Sequence, residues 1–200
     1  EKEIFEFCDM YEEFNLPFWF NTRPENCTKE ILNRLKEVGA YRMSFGIECG
    51  NEEFRSAVLK RKVRNQETIR KFEVISQSGI SYSVNLIIGF PGETRELVMD
   101  TVQLTRRIKG FDTLTVSIFT PYHGTKLREV AVKNGWLEKN TITTHTTSES
   151  ILKMPKPYLS KDDINQLMRV IPLYSYFPYS DWKEIKLAEI DQGDKKKDAK

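Results

Sequence analysis

Residues 83–88, Ser-Val-Asn-Leu-Ile-Ile, form a largely apolar run too short for a helix and bounded by Gly89 and Pro91. That pattern predicts a strand buried on both faces of a parallel sheet. Three further short runs read the same way: the aromatic stretch 17–23, the segment 43–48, and 114–119. Between them the apolar period changes to the helical one. An amphipathic helix is predicted over 4–14, and Thr28 caps another whose Ile31, Leu32, Leu35 and Val38 face inward before Gly39 stops it. Helices follow at about 52–59 and 66–77 (ended by Gly79), from Arg95 to about Ile108 after a Thr94 cap, and from Lys126 to Asn134 before Gly135.

Four consecutive strand-helix units with short loops imply parallel pairing through right-handed crossovers. Four units do not close a barrel. The remainder changes character, with a Thr/Ser-rich connection over 140–150, a Pro-punctuated turn over 154–157, and a helix capped by Ser160 that ends near Ile171. Pro172 and Pro178 frame the aromatics Tyr174, Tyr176, Phe177, Tyr179 and Trp182, read as packing. The expected organisation is a βα domain over 1–137, a helical or irregular extension over 138–190, and a disordered basic tail over 191–200 containing Lys195, Lys196 and Lys197.

Charge adds little. The 31 basic and 29 acidic residues are interspersed and leave a formal +2, so neither a nucleic-acid nor a membrane partner is expected. With no apolar stretch of spanning length and no secretory leader, the reading is cytoplasmic. Cys8, Cys27 and Cys49 are widely spaced with no C-x-x-C pair, and are read as buried reduced thiols rather than metal ligands. The chain opens with Glu1 and enters a helix without a cap, which suggests that it starts inside a longer protein.

Chemistry gathers where the strands end. Arg23, Glu48, the 89–94 loop and the 120–125 loop lie at strand C-termini, with Asn85 further inside its strand. Gly89 and Gly92 permit close backbone approach to a ligand, and Pro91 stiffens the turn between them. An acidic Glu48 at this edge needs a partner or solvent, and Arg23 or Arg61 could supply an ion pair. His123, beside Gly124, reads equally as a turn residue or a base.

Three motifs in register carry a resemblance: Phe45-Gly46-Ile47-Glu48-Cys49-Gly50-Asn51-Glu52, Asn85-Leu86-Ile87-Ile88-Gly89-Phe90-Pro91-Gly92-Glu93-Thr94, and Phe119-Thr120-Pro121-Tyr122-His123-Gly124-Thr125, preceded by Thr22-Arg23-Pro24-Glu25. Over about 1–137 the chain resembles the radical S-adenosylmethionine enzymes, in flavour the subgroup that often carries a cobalamin-binding domain. The resemblance implies an α/β fold, a partial (βα)6 TIM-like barrel of which this chain holds the last four strands. It implies that Glu48 and Asn85 face the ribose and methionine of the cofactor. Arg61, with Lys60 as a rival, would approach the methionine carboxylate. Ile87, Gly89, Phe119 and Thr120 would border the adenine.

Cys49 stands where Ser is usual in the family and His123 where Pro is usual. The larger departure is the C-x-x-x-C-x-x-C triplet that holds the family's [4Fe-4S] cluster, which this sequence lacks. The resemblance therefore implies a parent enzyme that cleaves S-adenosylmethionine with its cluster to give a 5'-deoxyadenosyl radical, for hydrogen abstraction or cobalamin-dependent methylation of an unidentified small molecule or peptide. The chain alone is expected to be inactive and to bind no cofactor. A non-catalytic half-barrel serving binding or assembly is the alternative reading. A phosphate-binding enzyme is disfavoured, since neither G-x-G-x-x-G nor G-K-S/T occurs. Without preceding strands, the edge at 18–22 is expected to accept the missing N-terminal part or to drive self-association.

Overall fold

The computed structural model describes residues 2–14, 16–144 and 149–190, so the basic tail and part of the Thr/Ser-rich connection lie outside the described residues. The elements run α1 (Lys2–Tyr11), β1 (Phe18–Thr22), α2 (Lys29–Glu37), β2 (Ala40–Glu48), α3 (Glu52–Val58), α4 (Asn65–Gln77), β3 (Ser81–Ile88), α5 (Arg95–Arg107), β4 (Thr113–Ile118), α6 (Lys126–Lys133), α7 (Lys161–Tyr176) and α8 (Trp182–Ile190). The strands form one sheet in the order β1-β2-β3-β4, and β1 with β2 and β2 with β3 pair in parallel. This is the α/β arrangement expected from four βα units, and it is consistent with a partial barrel. No described helix is long and apolar enough to cross a membrane.

By its contacts the chain divides into two compact units, Glu1–Leu86 with Gln103–Thr115, and Ile87–Val102 with Val116–Lys200. The first is built on β1 to β3. Phe45 from β2, Phe72 from α4 and Tyr82 from β3 form a buried aromatic cluster with ring centroids 5.3–5.8 Å apart. Thr28 caps α2 by accepting from the Ile31 amide, and Ile31, Leu32, Leu35 and Val38 are buried. β1 is the edge strand, with Trp19 exposed, beside an apolar hollow of about 460 Å³ whose walls include Phe7, Phe18, Phe20 and Ile31.

The second unit packs α7 through Ile164, Leu167, Ile171 and Tyr174, all buried. α7 continues to Tyr176 with Pro172 inside it, beyond the stop near Ile171 that its sequence suggests. Pro172 removes one N–H from the helix ladder. The buried face nevertheless continues through Tyr174 and Ser175, and the Ser175 hydroxyl donates to the Ile171 carbonyl. Of the expected aromatic cluster, Trp182 packs on Tyr174 and Tyr179 at centroid distances of 5.0 and 4.7 Å, whereas Tyr176, Phe177 and Tyr179 are largely exposed.

Candidate functional site

In the first unit the site grows from the end of β2. The β2–β3 ladder pairs Gly46 with Asn85 and then Glu48 with Leu86, so one residue is taken up in a bulge and the strand turns as it ends. Glu48 sits in the left-handed region at φ 58, which a non-glycine side chain rarely adopts. Its carboxylate folds back over Gly46: a Cβ built at that position would lie 2.2 Å from Oε1. Oε2 is buried without a hydrogen-bond partner. Burial raises the Glu48 pKa above the ordinary carboxylate value, opposed by the positive charges of Arg61 and Arg23.

Arg61 reaches this place from the α3–α4 loop. Its Nη1 donates to the Gly46 carbonyl at 3.0 Å and its Nη2 to Glu25 Oε1 at 3.0 Å. The guanidinium thus pairs with Glu25 rather than with Glu48, and Arg61 Nε and Glu25 Oε2 are also buried without partners. Lys60, its rival, is exposed at φ 56.

The loop is held by Arg55, a buried side chain of α3. Arg55 Nη1 donates to the Cys49 carbonyl and to Asn65 Oδ1, both at 2.8 Å, and Nη2 donates to the Val63 carbonyl. Asn65 Nδ2 in turn donates to the Gly50 carbonyl at 2.7 Å. The residues just after Glu48 are thereby tied to the segment that carries Arg61. Asn85 lies across the ladder from Gly46, but its amide donates to Ser44 Oγ at 2.6 Å and not to Glu48.

The remaining predicted residues belong to the second unit. Gly89 and Gly92 adopt φ 84 and 83, and the loop between them closes on Glu93, whose side chain is fully buried. Glu93 Oε2 accepts from the Gly89 and Phe90 amides at 2.5 and 3.2 Å, and Oε1 has no partner. Burial pushes its pKa up to about 8 against the lowering effect of those two N–H groups. The Phe119 amide donates to the Ile88 carbonyl at 2.8 Å, and the Phe119 and Phe90 rings lie 5.3 Å apart. Ile87 and Thr120 are half-buried at these two strand ends. Ile87, Gly89, Phe119 and Thr120 therefore come together, while His123 stands exposed on its turn.

Sequence reasoning missed Arg55, the pairing of Glu25 with Arg61, the clamp of Glu93, and Arg128. The last is buried in α6 and donates to the carbonyls of Pro121, Lys139 and Thr141 at 2.7–3.0 Å. An arginine on the inward stripe of a short amphipathic helix is the signal that could have singled out Arg55 and Arg128.

The model of the Radical SAM superfamily matches residues 1–105. The chain belongs to the radical SAM superfamily. It is 27% identical over 158 residues, 79% of its length and 34% of the relative's, to an uncharacterized methyltransferase of Pyrococcus horikoshii. It is 40% identical over 81 residues, 40% of its length and 18% of the relative's, to the tRNA-2-methylthio-N(6)-dimethylallyladenosine synthase of Chromohalobacter salexigens. Among solved structures, coproporphyrinogen III oxidase (HemN) from Escherichia coli, a radical SAM enzyme, aligns with a TM-score of 0.56 at 19% identity, over 82% of this chain and 33% of HemN. The chain thus spans about a third or less of these proteins, and the HemN likeness shows the fold.

A radical SAM protein implies S-adenosylmethionine and a [4Fe-4S] cluster. The donor set around Glu48 fits the first: two buried carboxylate oxygens await donors and one guanidinium edge awaits an acceptor, while the ligand brings hydroxyls, an ammonium group and a carboxylate. It does not fit the second. Cys8 lies in α1, Cys27 before α2 and Cys49 after β2, each buried. Burial pushes the Cys27 thiol up to about 12, away from the thiolate that iron requires. Among the described residues no three His, Cys, Asp or Glu side chains are grouped to hold a metal ion.

Proposed function

We propose that this chain forms the cofactor-binding part of a radical enzyme that cleaves S-adenosylmethionine. When bound, the cofactor supplies a 5'-deoxyadenosyl radical able to take a hydrogen atom from a substrate. The observation that carries the reading is the buried, unpartnered carboxylate of Glu48, held in the left-handed region beside a guanidinium that pairs elsewhere. Such strain and an orphaned acceptor persist where a ligand supplies the missing partners.

In this reading Glu48 accepts hydrogen bonds from the ribose hydroxyls or the ammonium group, and Arg61 takes the methionine carboxylate through its open Nε edge. Asn85 extends the polar lining toward Ser44. Within the second unit, Ile87, Gly89, Phe119 and Thr120 are read as the kind of lining an adenine takes, with Glu93 shaping the backbone of that loop. The cluster ligands lie outside this chain's own residues.

The relatives are named for different substrates, so the shared stretch is read as the part that handles the cofactor. Methylation, with cobalamin as methyl carrier, is the reaction class we favour. The uncharacterized Pyrococcus horikoshii methyltransferase, which matches 79% of this chain, supports methylation; cobalamin as the carrier rests on the sequence resemblance alone.

The test uses the longer protein that contains this chain, reconstituted anaerobically with iron and sulfide and reduced. The reading expects 5'-deoxyadenosine to form and its yield to fall about tenfold or more in Glu48→Gln. A fully iron-loaded protein that produces none contradicts it.

A further inference from the structure

Glu48, at the end of β2, and Arg61, in the α3–α4 loop, carry opposite charges, and both act on Gly46: one by covering its Cα, the other through its carbonyl. Left alone, a guanidinium and a buried carboxylate oxygen without a partner would close into an ion pair, and that pair would fill the place of a ligand. In this structure they do not. Arg61 is held instead by Glu25, at 3.0 Å. The Glu25–Arg61 pair is largely shielded from water, its side chains 30% and 16% exposed.

We propose that Glu25 is a positioning residue that keeps Arg61 apart from Glu48, leaving one edge of the guanidinium open for the carboxylate of the ligand. This rests on the reading of Arg61 given above. Two bonds fix the plane of the guanidinium: Nη1 to the Gly46 carbonyl and Nη2 to Glu25 Oε1. What remains is Nε–H, buried without a partner, beside the second hydrogen of Nη2. That edge has the fork geometry that receives a carboxylate through two parallel bonds.

Glu25 is itself fixed by the backbone. It sits in the short 3-10 turn Pro24–Asn26, where Pro24 is buried, the Asn26 amide donates to the Arg23 carbonyl and the Cys27 amide to the Pro24 carbonyl, both at 3.0 Å. Glu25 already compensates the arginine charge, so Arg61 has no need of Glu48 as a partner.

The experiment measures equilibrium binding of S-adenosylmethionine and of its decarboxylated analogue to the intact, cluster-loaded protein, in wild type, Glu25→Ala and Glu25→Gln, with thermal melts alongside. The wild type is expected to prefer the carboxylate-bearing ligand. Glu25→Ala should weaken that ligand about tenfold and the analogue by less than about twofold. Glu25→Gln keeps an acceptor for Nη2 and should recover much of the loss. Equal weakening of both ligands would make Glu25 merely structural, and tighter binding of S-adenosylmethionine in Glu25→Ala would make it a competitor; either result overturns the proposal. A wild type that does not distinguish the two ligands overturns the assignment of Arg61 itself.

Discussion

The carboxylate of Glu48 lies over Gly46 so closely that a Cβ at residue 46 would stand 2.2 Å from Oε1. The glycine is required there by a side-chain approach and not by its own backbone angles. Gly46→Ala should therefore leave the fold nearly unchanged, within about 1 kcal/mol, since the far end of a flexible side chain can move aside. Binding of S-adenosylmethionine should fall about tenfold or more because the carboxylate is displaced. Thermal melts and calorimetry on the same variant check both halves, and unaltered affinity would refute the role given to this contact.

Glu48 holds a strained backbone and a buried oxygen without a partner. Asparagine tolerates the left-handed region better. Glu48→Asn should raise stability by about 1 kcal/mol, roughly 2–4 °C in melting temperature for a domain of this size, while removing the charge and drawing the proposed acceptor back by one methylene. A destabilised variant would mean that the strain is not stored at this residue.

Glu93 gives a pH dependence of defined sign. Its folded pKa of about 8 lies above the ordinary 4.5, so the stability it contributes is fully present below 4.5 and is lost as pH rises toward 8. Unfolding by denaturant at pH 5, 6.5 and 8 should show wild type weakening by a few kcal/mol across this window. Glu93→Gln, whose amide oxygen can still accept from Gly89 and Phe90, should flatten the profile. An identical slope in the variant would assign the titration elsewhere.

Glu189 has the opposite sign. It is buried on α8, where desolvation would raise its pKa, but hydrogen bonds from Arg95, Lys186 and Tyr174 outweigh burial and hold it down to about 2. The stability it contributes is present above 4.5 and lost as pH falls toward 2. Glu189→Gln should cost about 1–3 kcal/mol at neutral pH and remove that acid-side loss, measurable by denaturation at pH 7 and pH 3.

The strands and most helix ends were legible because they are written locally. Thr28 and Ser160 cap the helices they precede, and Gly39 and Gly79 end theirs at positive φ. Pro172 misled, because the rule it follows concerns one lost hydrogen bond, whereas the buried Tyr174 and Ser175 that carry α7 onward depend on what lies opposite them.

Within the site, the motif pointed to Glu48 and Arg61 but not to what holds them. Glu25 and Arg61 are 36 residues apart, and nothing local tells an acidic side chain after Pro24 to pair with a distant guanidinium. The left-handed turn at Glu48 was equally hidden, since no glycine or asparagine marks it. Arg55 looks like an ordinary charge on a short helix until Cys49, Val63 and Asn65 converge on it.

We propose Glu48 as the ligand's acceptor. Calorimetric titration of S-adenosylmethionine into the intact, cluster-loaded protein, wild type against Glu48→Asn, tests it most directly. Affinity should be lower by about tenfold or more in a variant that melts no earlier than wild type; equal affinity in the two proteins would rule out that role for Glu48.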